Sequence, residues 1–154
     1  MKTLIVYYSR TGVTKKVAEA LAKEMKADAE EIIDTVDRKG MVGYLKSGRE
    51  AMKKSVAKIK SLKKDISGYD IVIIGTPVWA FTMSSPIRAF ITENRDKMEN
   101  VAFFCTMGGS GDTKTFEHMK ELCCQEPVAK ISYRTKDVSN NNFDVKKFIK
   151  KIRI

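Results

Sequence analysis

A wholly apolar run at residues 71–75 is the feature that most limits the folds open to this chain. Ile71-Val72-Ile73-Ile74-Gly75 contains four β-branched residues followed by a glycine. Such a run is typical of a strand buried on both faces, as in the middle of a parallel sheet; a strand with one wet face alternates apolar and polar residues. Helices must then cover both sides of the sheet, so the run predicts an α/β fold.

Strand and helix patterns alternate along the whole chain. Apolar residues at helical spacing predict the helices, and short apolar runs predict the strands. The predicted strands are Thr3–Tyr8, Ala29–Ile33, Ile71–Gly75, Val101–Cys105 and Val128–Tyr133. The predicted helices are Val13–Lys26, Tyr44–Ile59, one opening at Ser85-Pro86, Asp112–Cys124, and a last one with Val145, Phe148, Ile149 and Ile152 on one face. Five strand-then-helix units predict a parallel sheet covered on both faces.

Length and composition predict one domain over residues 1–154. The chain has 43% hydrophobic and 31% charged residues, which is ordinary for a globular protein. No apolar run approaches the roughly 20 residues that span a bilayer, and we recognise no signal peptide. Three cysteines form neither a C-x-x-C motif nor a disulfide framework. A cytoplasmic location is therefore expected.

The loop after the first strand has the composition of a phosphate site. Ser9-Arg10-Thr11-Gly12-Val13-Thr14 places hydroxyl groups, a glycine and a helix N-terminus together, and these groups favour an anion. The loop lacks the lysine of a P-loop and the glycine spacing of G-x-G-x-x-G. The alternative is an ordinary capped turn with Ser9 or Thr11 as the N-cap.

Two further loops follow the third and fourth predicted strands. Ligands of open α/β sheets bind outside the carboxyl ends of the strands. Thr76-Pro77-Val78-Trp79-Ala80-Phe81 carries the single tryptophan, and Thr106-Met107-Gly108-Gly109-Ser110-Gly111 is rich in glycine, which lets backbone approach a ligand closely. A phosphate loop, an aromatic loop and a glycine loop suit a ligand with a phosphate tail and a flat ring, such as FMN.

These three motifs, in this order, resemble those of the short-chain flavodoxin family, and the resemblance covers nearly the whole chain. It implies a flavodoxin-like three-layer sandwich. The five-stranded parallel sheet would have the order 2-1-3-4-5, with FMN at the switch point between strands. Electron transfer would then be the function, performed by the flavin and tuned by the protein.

The resemblance also implies a role for each loop. Ser9, Thr11, Gly12, Val13 and Thr14 would donate hydrogen bonds to the FMN phosphate, with Arg10 folded over it or pointing to solvent. In the second loop, Thr76, Pro77, Val78 and Trp79 would contact the ribityl chain and the ring. In the third, Gly108, Gly109 and Gly111 would present their backbone to the pyrimidine edge. No catalytic side chain is implied, and one histidine, His118, without a cysteine or carboxylate cluster argues against a metal site.

The aromatic residues leave the function open. Flavodoxins commonly flank the ring with two aromatics. Trp79 can supply one, but the third loop contains none. Met107, Phe81 or Met83 could cover the second face, or that face is open to a substrate. The leading function is an FMN-binding electron carrier. The alternatives are a small FMN-dependent NAD(P)H or quinone reductase, and a binding module that has lost the flavin.

The positive charge is concentrated in one segment. The chain has a formal charge of +10. The segment Arg38–Lys64 carries ten basic residues and one acid, a balance of +9. Such a surface steers acidic partners, here a redox protein; a solvated helix face is the alternative. No nucleic-acid motif is present. If the segment lies near the flavin, we expect the second reduction step to be easier than in acidic flavodoxins.

Overall fold

The computed structural model describes residues 1–35, 43, 45–49 and 57–153. At its centre lies a six-stranded sheet. Its strands are β1 (Thr3–Tyr7), β2 (Asp28–Glu31), β3 (Ile71–Trp79), β4 (Thr82–Met83), β5 (Val101–Met107) and β6 (Lys130–Arg134). The helices are α1 (Val13–Met25), α2 (Ser85–Asn94), α3 (Asp112–Cys123), α4 (Thr135–Ser139) and α5 (Lys146–Ile152). Short 3-10 turns occupy Ile66–Gly68 and Arg95–Lys97.

The five long strands are parallel and follow the order β2-β1-β3-β5-β6. Counting these parallel strands alone, this is the order 2-1-3-4-5 that the resemblance implied, and the predicted fold class is confirmed. The sequence did not predict β4. It pairs antiparallel with the end of β3 and forms a hairpin at the edge of the sheet where the strands end.

Two apolar layers lie on opposite faces of the sheet. Alternate side chains of β1 and β3 point to opposite sides, as the period of a strand requires. The layer under α2 and α3 contains Leu4, Val6, Val72, Ile74, Phe90 and Phe103. The layer under α1 and α5 contains Ile5, Ile73, Leu21, Phe104 and Phe148. The central strands are buried on both faces, as the apolar run at residues 71–75 predicted.

The predicted helix Tyr44–Ile59 is wrong at its C-terminal end. Residues 45–49 are helical, but Ile59 forms an antiparallel bridge with Asp34, just beyond β2. Pairing with the edge of the sheet therefore overrides the helical spacing of the apolar residues. Leu45, an apolar residue of the predicted helix, is 65% exposed. Tyr44, Met52 and Val56 lie outside the described residues.

The strands next to the predicted ligand loops are longer than the sequence indicated. β3 continues to Trp79 and β5 to Met107. Pro77 lies within β3 opposite Thr106, so pairing with the neighbouring strand keeps the chain extended there. Residues 76–79 of the second predicted loop are consequently part of β3.

α1 and α3 agree with their predicted spans to within one residue, and α2 begins at Ser85 as predicted. α4 was not predicted. The longest described helix, α1, has 13 residues. Within the described ranges, no helix combines the length and apolar character needed to cross a membrane.

Candidate functional site

The three predicted ligand loops meet at one edge of the sheet. β1, β3 and β5 are parallel neighbours, so their carboxyl ends lie side by side. The Tyr8 ring, directly before the first loop, and the Trp79 ring of the second loop meet edge to face with centroids 5.5 Å apart. The Thr14 and Thr106 hydroxyl oxygens, from the first and third loops, lie 2.7 Å apart and share a buried hydrogen bond. The structure therefore joins residues up to 92 positions apart in the sequence.

The first loop ends in an open helix start. The N-cap of α1 is Gly12, with φ 92°, a left-handed conformation that favours glycine. The Ser9 hydroxyl oxygen accepts hydrogen bonds from the backbone N–H groups of Gly12, at 3.0 Å, and Lys15, at 3.2 Å. Ser9 thus closes the turn, although it was considered as the N-cap itself. The first turn of α1 holds no acidic residue, and Thr11 and Gly12 are exposed.

A cavity opens at this helix start. It is lined by Ser9, Arg10, Thr11, Gly12, Lys15 and Glu31. The Lys15 Nζ lies 3.5 Å from a Glu31 carboxylate oxygen. Both side chains are well exposed, so this pair contributes little to stability. The lining of the cavity therefore combines charges of both signs with hydroxyl and backbone groups.

The second loop is a tight hairpin turn that the sequence did not signal. Trp79 pairs with Thr82 across the hairpin, leaving Ala80 and Phe81 as the turn residues. Their φ angles are 48° and 65°. A two-residue hairpin turn with positive φ at both positions normally carries Asn-Gly or a similar pair. A bulky residue in this conformation costs about 1 to 2 kcal/mol and is enriched at functional sites.

The turn places the two aromatics of this loop in opposite environments. Trp79 is 5% exposed and packs in the apolar layer below α2 and α3, whereas Phe81 is 57% exposed. Met83, another residue considered for covering a ring, is fully buried. Phe81 is therefore the large aromatic of this loop that a ligand can reach directly.

The third loop packs against the second at Gly111. This glycine has φ 103°, and a Cβ atom there would lie 2.8 Å from Val78 Cγ1 and 3.2 Å from Phe81 Cδ1. Only glycine fits such a position without displacing the neighbouring loop. Gly108, Gly109 and Ser110, in contrast, are exposed. The loop thus has a tightly packed base and an accessible tip.

Several predicted ligand residues serve inside the protein. The Thr76 hydroxyl accepts a hydrogen bond from the Ser84 backbone N–H at 3.0 Å, and Thr76 is fully buried. Thr14 and Thr106 are buried as well. Their hydroxyl groups bond within the protein, and the bond between Thr14 and Thr106 links the first and third loops.

Asp112, which follows Gly111 at the start of α3, was not predicted to matter. Its carboxylate accepts a hydrogen bond from the Ser132 hydroxyl at 2.8 Å. Burial, together with Asp112, raises the pKa of the nearby Cys105 thiol well above its usual range, which disfavours its thiolate form. The acid in the first turn of a helix was the signal available in the sequence.

Hydroxyl- and glycine-rich loops at the carboxyl ends of neighbouring parallel strands are typical of the nucleotide-binding class of α/β folds. The class can be narrowed to a family. The flavodoxin family model matches residues 2–152, and the chain belongs to that family.

Solved structures share this fold. A flavoprotein in complex with FMN from Lactobacillus acidophilus is 26% identical, covering 90% of this chain and 97% of that chain with a TM-score of 0.75. A flavoprotein from Bacteroides eggerthii is 25% identical, covering 96% and 98% with a TM-score of 0.76. An NADH:FMN oxidoreductase in its apo form is 14% identical, covering 99% and 87% with a TM-score of 0.57, a likeness in fold alone. No curated protein sequence is significantly similar.

Proposed function

We propose that this protein binds FMN where the three loops meet and carries electrons to or from an acidic redox partner. One observation carries the proposal most strongly. α1 begins at an exposed, left-handed Gly12 without an acidic residue in its first turn. In the chain, α1 connects β1 to β2. It begins next to the point where the order of the strands in the sheet reverses, between β1 and β3. That is the place where open α/β sheets bind ligands.

The residues around this helix start suit a phosphate group. The N-terminal amides and the helix dipole favour an anion. The Thr11 side chain is exposed beside them, and Arg10 lies on the rim of the same cavity. Ser9 holds the turn in shape through its two accepted hydrogen bonds. We therefore assign the phosphate to Ser9, Arg10, Thr11, Gly12, Val13 and Thr14, with Thr14 contributing its backbone.

The other two loops suit the flavin ring. Phe81 offers an exposed aromatic face, and the accessible backbone of Gly108, Gly109 and Ser110 can donate to a polar ring edge. Pro77, Val78 and Met107 are half-buried between them. We assign Trp79 a supporting position below the ring, because it is buried against Tyr8. Bound FMN would supply the redox chemistry, and these residues would orient it and limit its contact with water.

Lysines near the site support an acidic partner. Lys58 and Lys60 are exposed, and the backbone of Lys60 donates to the Ile33 carbonyl just past the end of β2. They therefore lie at the sheet edge that carries the loops. A basic surface there would speed encounter with an acidic protein, and added salt would slow it. It would also favour the second reduction step, which we expect to respond to ionic strength.

A second candidate function is direct reduction of a small molecule. Phe81 is the single strongly exposed aromatic in the second loop, and the third loop has none. One face of the ring would then be accessible to a substrate. Oxidation of NAD(P)H by the purified protein with added quinone, without a partner protein, would favour this function over a carrier.

The first test compares FMN binding by the wild type, Thr11→Glu and Thr11→Gln. We expect a yellow wild-type complex, loss of binding in Thr11→Glu because its carboxylate enters the anion site, and binding by Thr11→Gln within about tenfold of wild type. Circular dichroism checks that both variants fold. Stepwise anaerobic reduction of the complex then separates one-electron from two-electron behaviour. Equal binding by Thr11→Glu and wild type would place the phosphate elsewhere.

A further inference from the structure

A buried arginine on α2 lacks a complete set of partners. Arg88 is 8% exposed. One terminal nitrogen, Nη2, donates to the Thr82 hydroxyl oxygen at 3.1 Å, but the buried Nε has no hydrogen-bond partner. Buried polar groups are nearly always bonded, and an exception calls for an absent partner such as a water or a ligand.

The surroundings of Arg88 make its charge costly. Among the described residues, none of the ion pairs involves Arg88. The first turn of α2 holds no acidic residue, and Arg88 bonds to the N-cap Ser84 through its backbone N–H. The positive end of the α2 dipole therefore adds to the positive charge of the guanidinium. Burial also lowers the pKa of Arg88. Buried charges normally have a counterion.

The same threonine links Arg88 to the surface. His118 Nδ1, on α3, lies 2.7 Å from the Thr82 hydroxyl oxygen. Thr82 is buried, His118 is half-buried, and Phe81, the residue before Thr82, is exposed. A line of polar groups thus runs from Arg88 to the surface beside the hairpin turn.

We propose that Arg88, Thr82 and His118 form a second anion site, which binds the carboxylate or phosphate group of a small molecule next to the hairpin that carries Phe81. A guanidinium recognises both groups with short, charge-assisted hydrogen bonds. Because Nε is buried, the guanidinium would have to turn toward the surface at His118 for Nε to donate to this anion. The site is separate from the phosphate site at α1, since its residues come from β4, α2 and α3.

The use of this site rests in part on the proposed function. With FMN bound near Phe81, an anionic group held by Arg88 would place a small electron donor or acceptor beside the ring. Binding of the anion itself does not require FMN, so the two proposals can fail separately.

The single histidine allows a direct test. We would load the protein with FMN, hold pH and ionic strength constant, and follow the His118 imidazole resonances by NMR during titration with inorganic phosphate and then with acetate. A saturable shift is expected. Saturation by phosphate indicates a phosphate ester as the natural group, and saturation by acetate alone indicates a carboxylate.

Two variants link the shift to Arg88. Arg88→Met keeps an apolar stem of similar shape and should weaken anion binding at least tenfold. Arg153→Met removes an exposed positive charge elsewhere and should bind like the wild type. Arg88→Met should also unfold at the same or a higher urea concentration, because it removes a buried charge that has no ion-pair partner among the described residues. If the role of Arg88 were merely structural, Arg88→Met would unfold at a lower urea concentration than the wild type.

The outcomes separate the possibilities. Absence of a saturable shift with both anions, or an unchanged shift in Arg88→Met, would overturn the site. If Arg88→Met does not fold, Thr82→Val carries the test, since it removes the oxygen that aligns Arg88 and His118 and should weaken binding. If the wild type takes up no FMN, the titration is repeated on flavin-free Thr11→Glu protein; a saturable shift there supports the anion site while the proposed FMN function fails.

Discussion

α1 and α3 begin in almost the same way, yet only one start is open to a ligand. Residues 11–15 and 110–114 share the pattern hydroxyl-Gly-x-Thr-Lys. Gly12 and Gly111 are both left-handed N-caps, with φ 92° and 103°. Each glycine carbonyl accepts the first helical hydrogen bond at 3.1 Å. Backbone geometry therefore does not separate the two helix starts.

They differ in charge and in packing. The residue after the glycine is Val13 in α1 and Asp112 in α3. The Asp112 carboxylate supplies the negative charge that a helix N-terminus favours, and Ser132 holds it in place. α1 has no such acid. Gly12 has open space around its Cα, whereas Gly111 is in contact with the second loop. The α3 helix start thus carries a negative charge of its own, whereas the α1 start lacks one and suits an external anion.

The largest expected effect comes from giving α1 the acid of α3. Val13→Asp should reduce FMN affinity about 1000-fold, because like unit charges about 4 Å apart near a protein surface repel by about 4 kcal/mol. Fluorescence quenching of FMN measures the affinity. Val13→Asn is the neutral control and should lose far less. Similar losses in both variants would show that charge does not distinguish the two helix starts.

The two glycines should respond differently to the same substitution. Gly12→Ala should destabilise the protein by about 1 to 2 kcal/mol, the cost of a Cβ in a left-handed conformation. Gly111→Ala should lose about 1 to 3 kcal/mol more, because its Cβ would overlap Val78. Urea unfolding measures both free energies. Equal losses would mean that the second loop yields easily at Gly111.

Loss of the buried Thr14–Thr106 hydrogen bond, which joins the first and third loops, should change the unfolding free energy by a smaller amount. Thr14→Val should cost about 1 to 3 kcal/mol of unfolding free energy, because it leaves the Thr106 hydroxyl without this partner in a buried position. The double variant Thr14→Val, Thr106→Val should recover much of that loss, since no hydroxyl remains there. Additive losses in the double-mutant cycle would argue against the link.

The smallest expected effect is the reverse change on α3. Asp112→Asn should destabilise the protein by about 1 kcal/mol through loss of the charge at the helix N-terminus, while FMN affinity stays within a fewfold of wild type. Glu117→Gln, on the same helix beyond its first turn, is the control and should be neutral. Strongly reduced FMN binding by Asp112→Asn would show that α3 also takes part in the ligand site.

Sequence patterns captured the framework of the protein. The apolar run at residues 71–75 predicted a buried parallel strand, and the alternation of strands and helices predicted both faces of the sheet. These properties depend on local periodicity and on how much apolar surface each segment must bury. The order of the strands came from the family resemblance, and the structure confirms it.

The sequence also marked the three loops, but it did not predict which of their residues are buried and which are exposed. Trp79 is conspicuous in the sequence, yet it is buried and Phe81 is exposed. The Ala80-Phe81 turn carries no glycine or asparagine that would have predicted it. The helix predicted up to Ile59 ends earlier, because pairing beyond β2 is a long-range contact that local spacing does not encode.

Local periodicity thus determined that this chain forms a parallel α/β sheet. Hydroxyl, aromatic and glycine residues in the segments after three strands marked the candidate ligand loops. Tertiary structure alone decided which groups in those loops are available. Thr14, Thr76 and Thr106 look like ligand residues in the sequence, but their hydroxyl groups bond within the protein. Arg88 drew no attention in the sequence and is buried without a partner for its Nε. Availability depends on contacts between distant segments, and only folding creates those contacts.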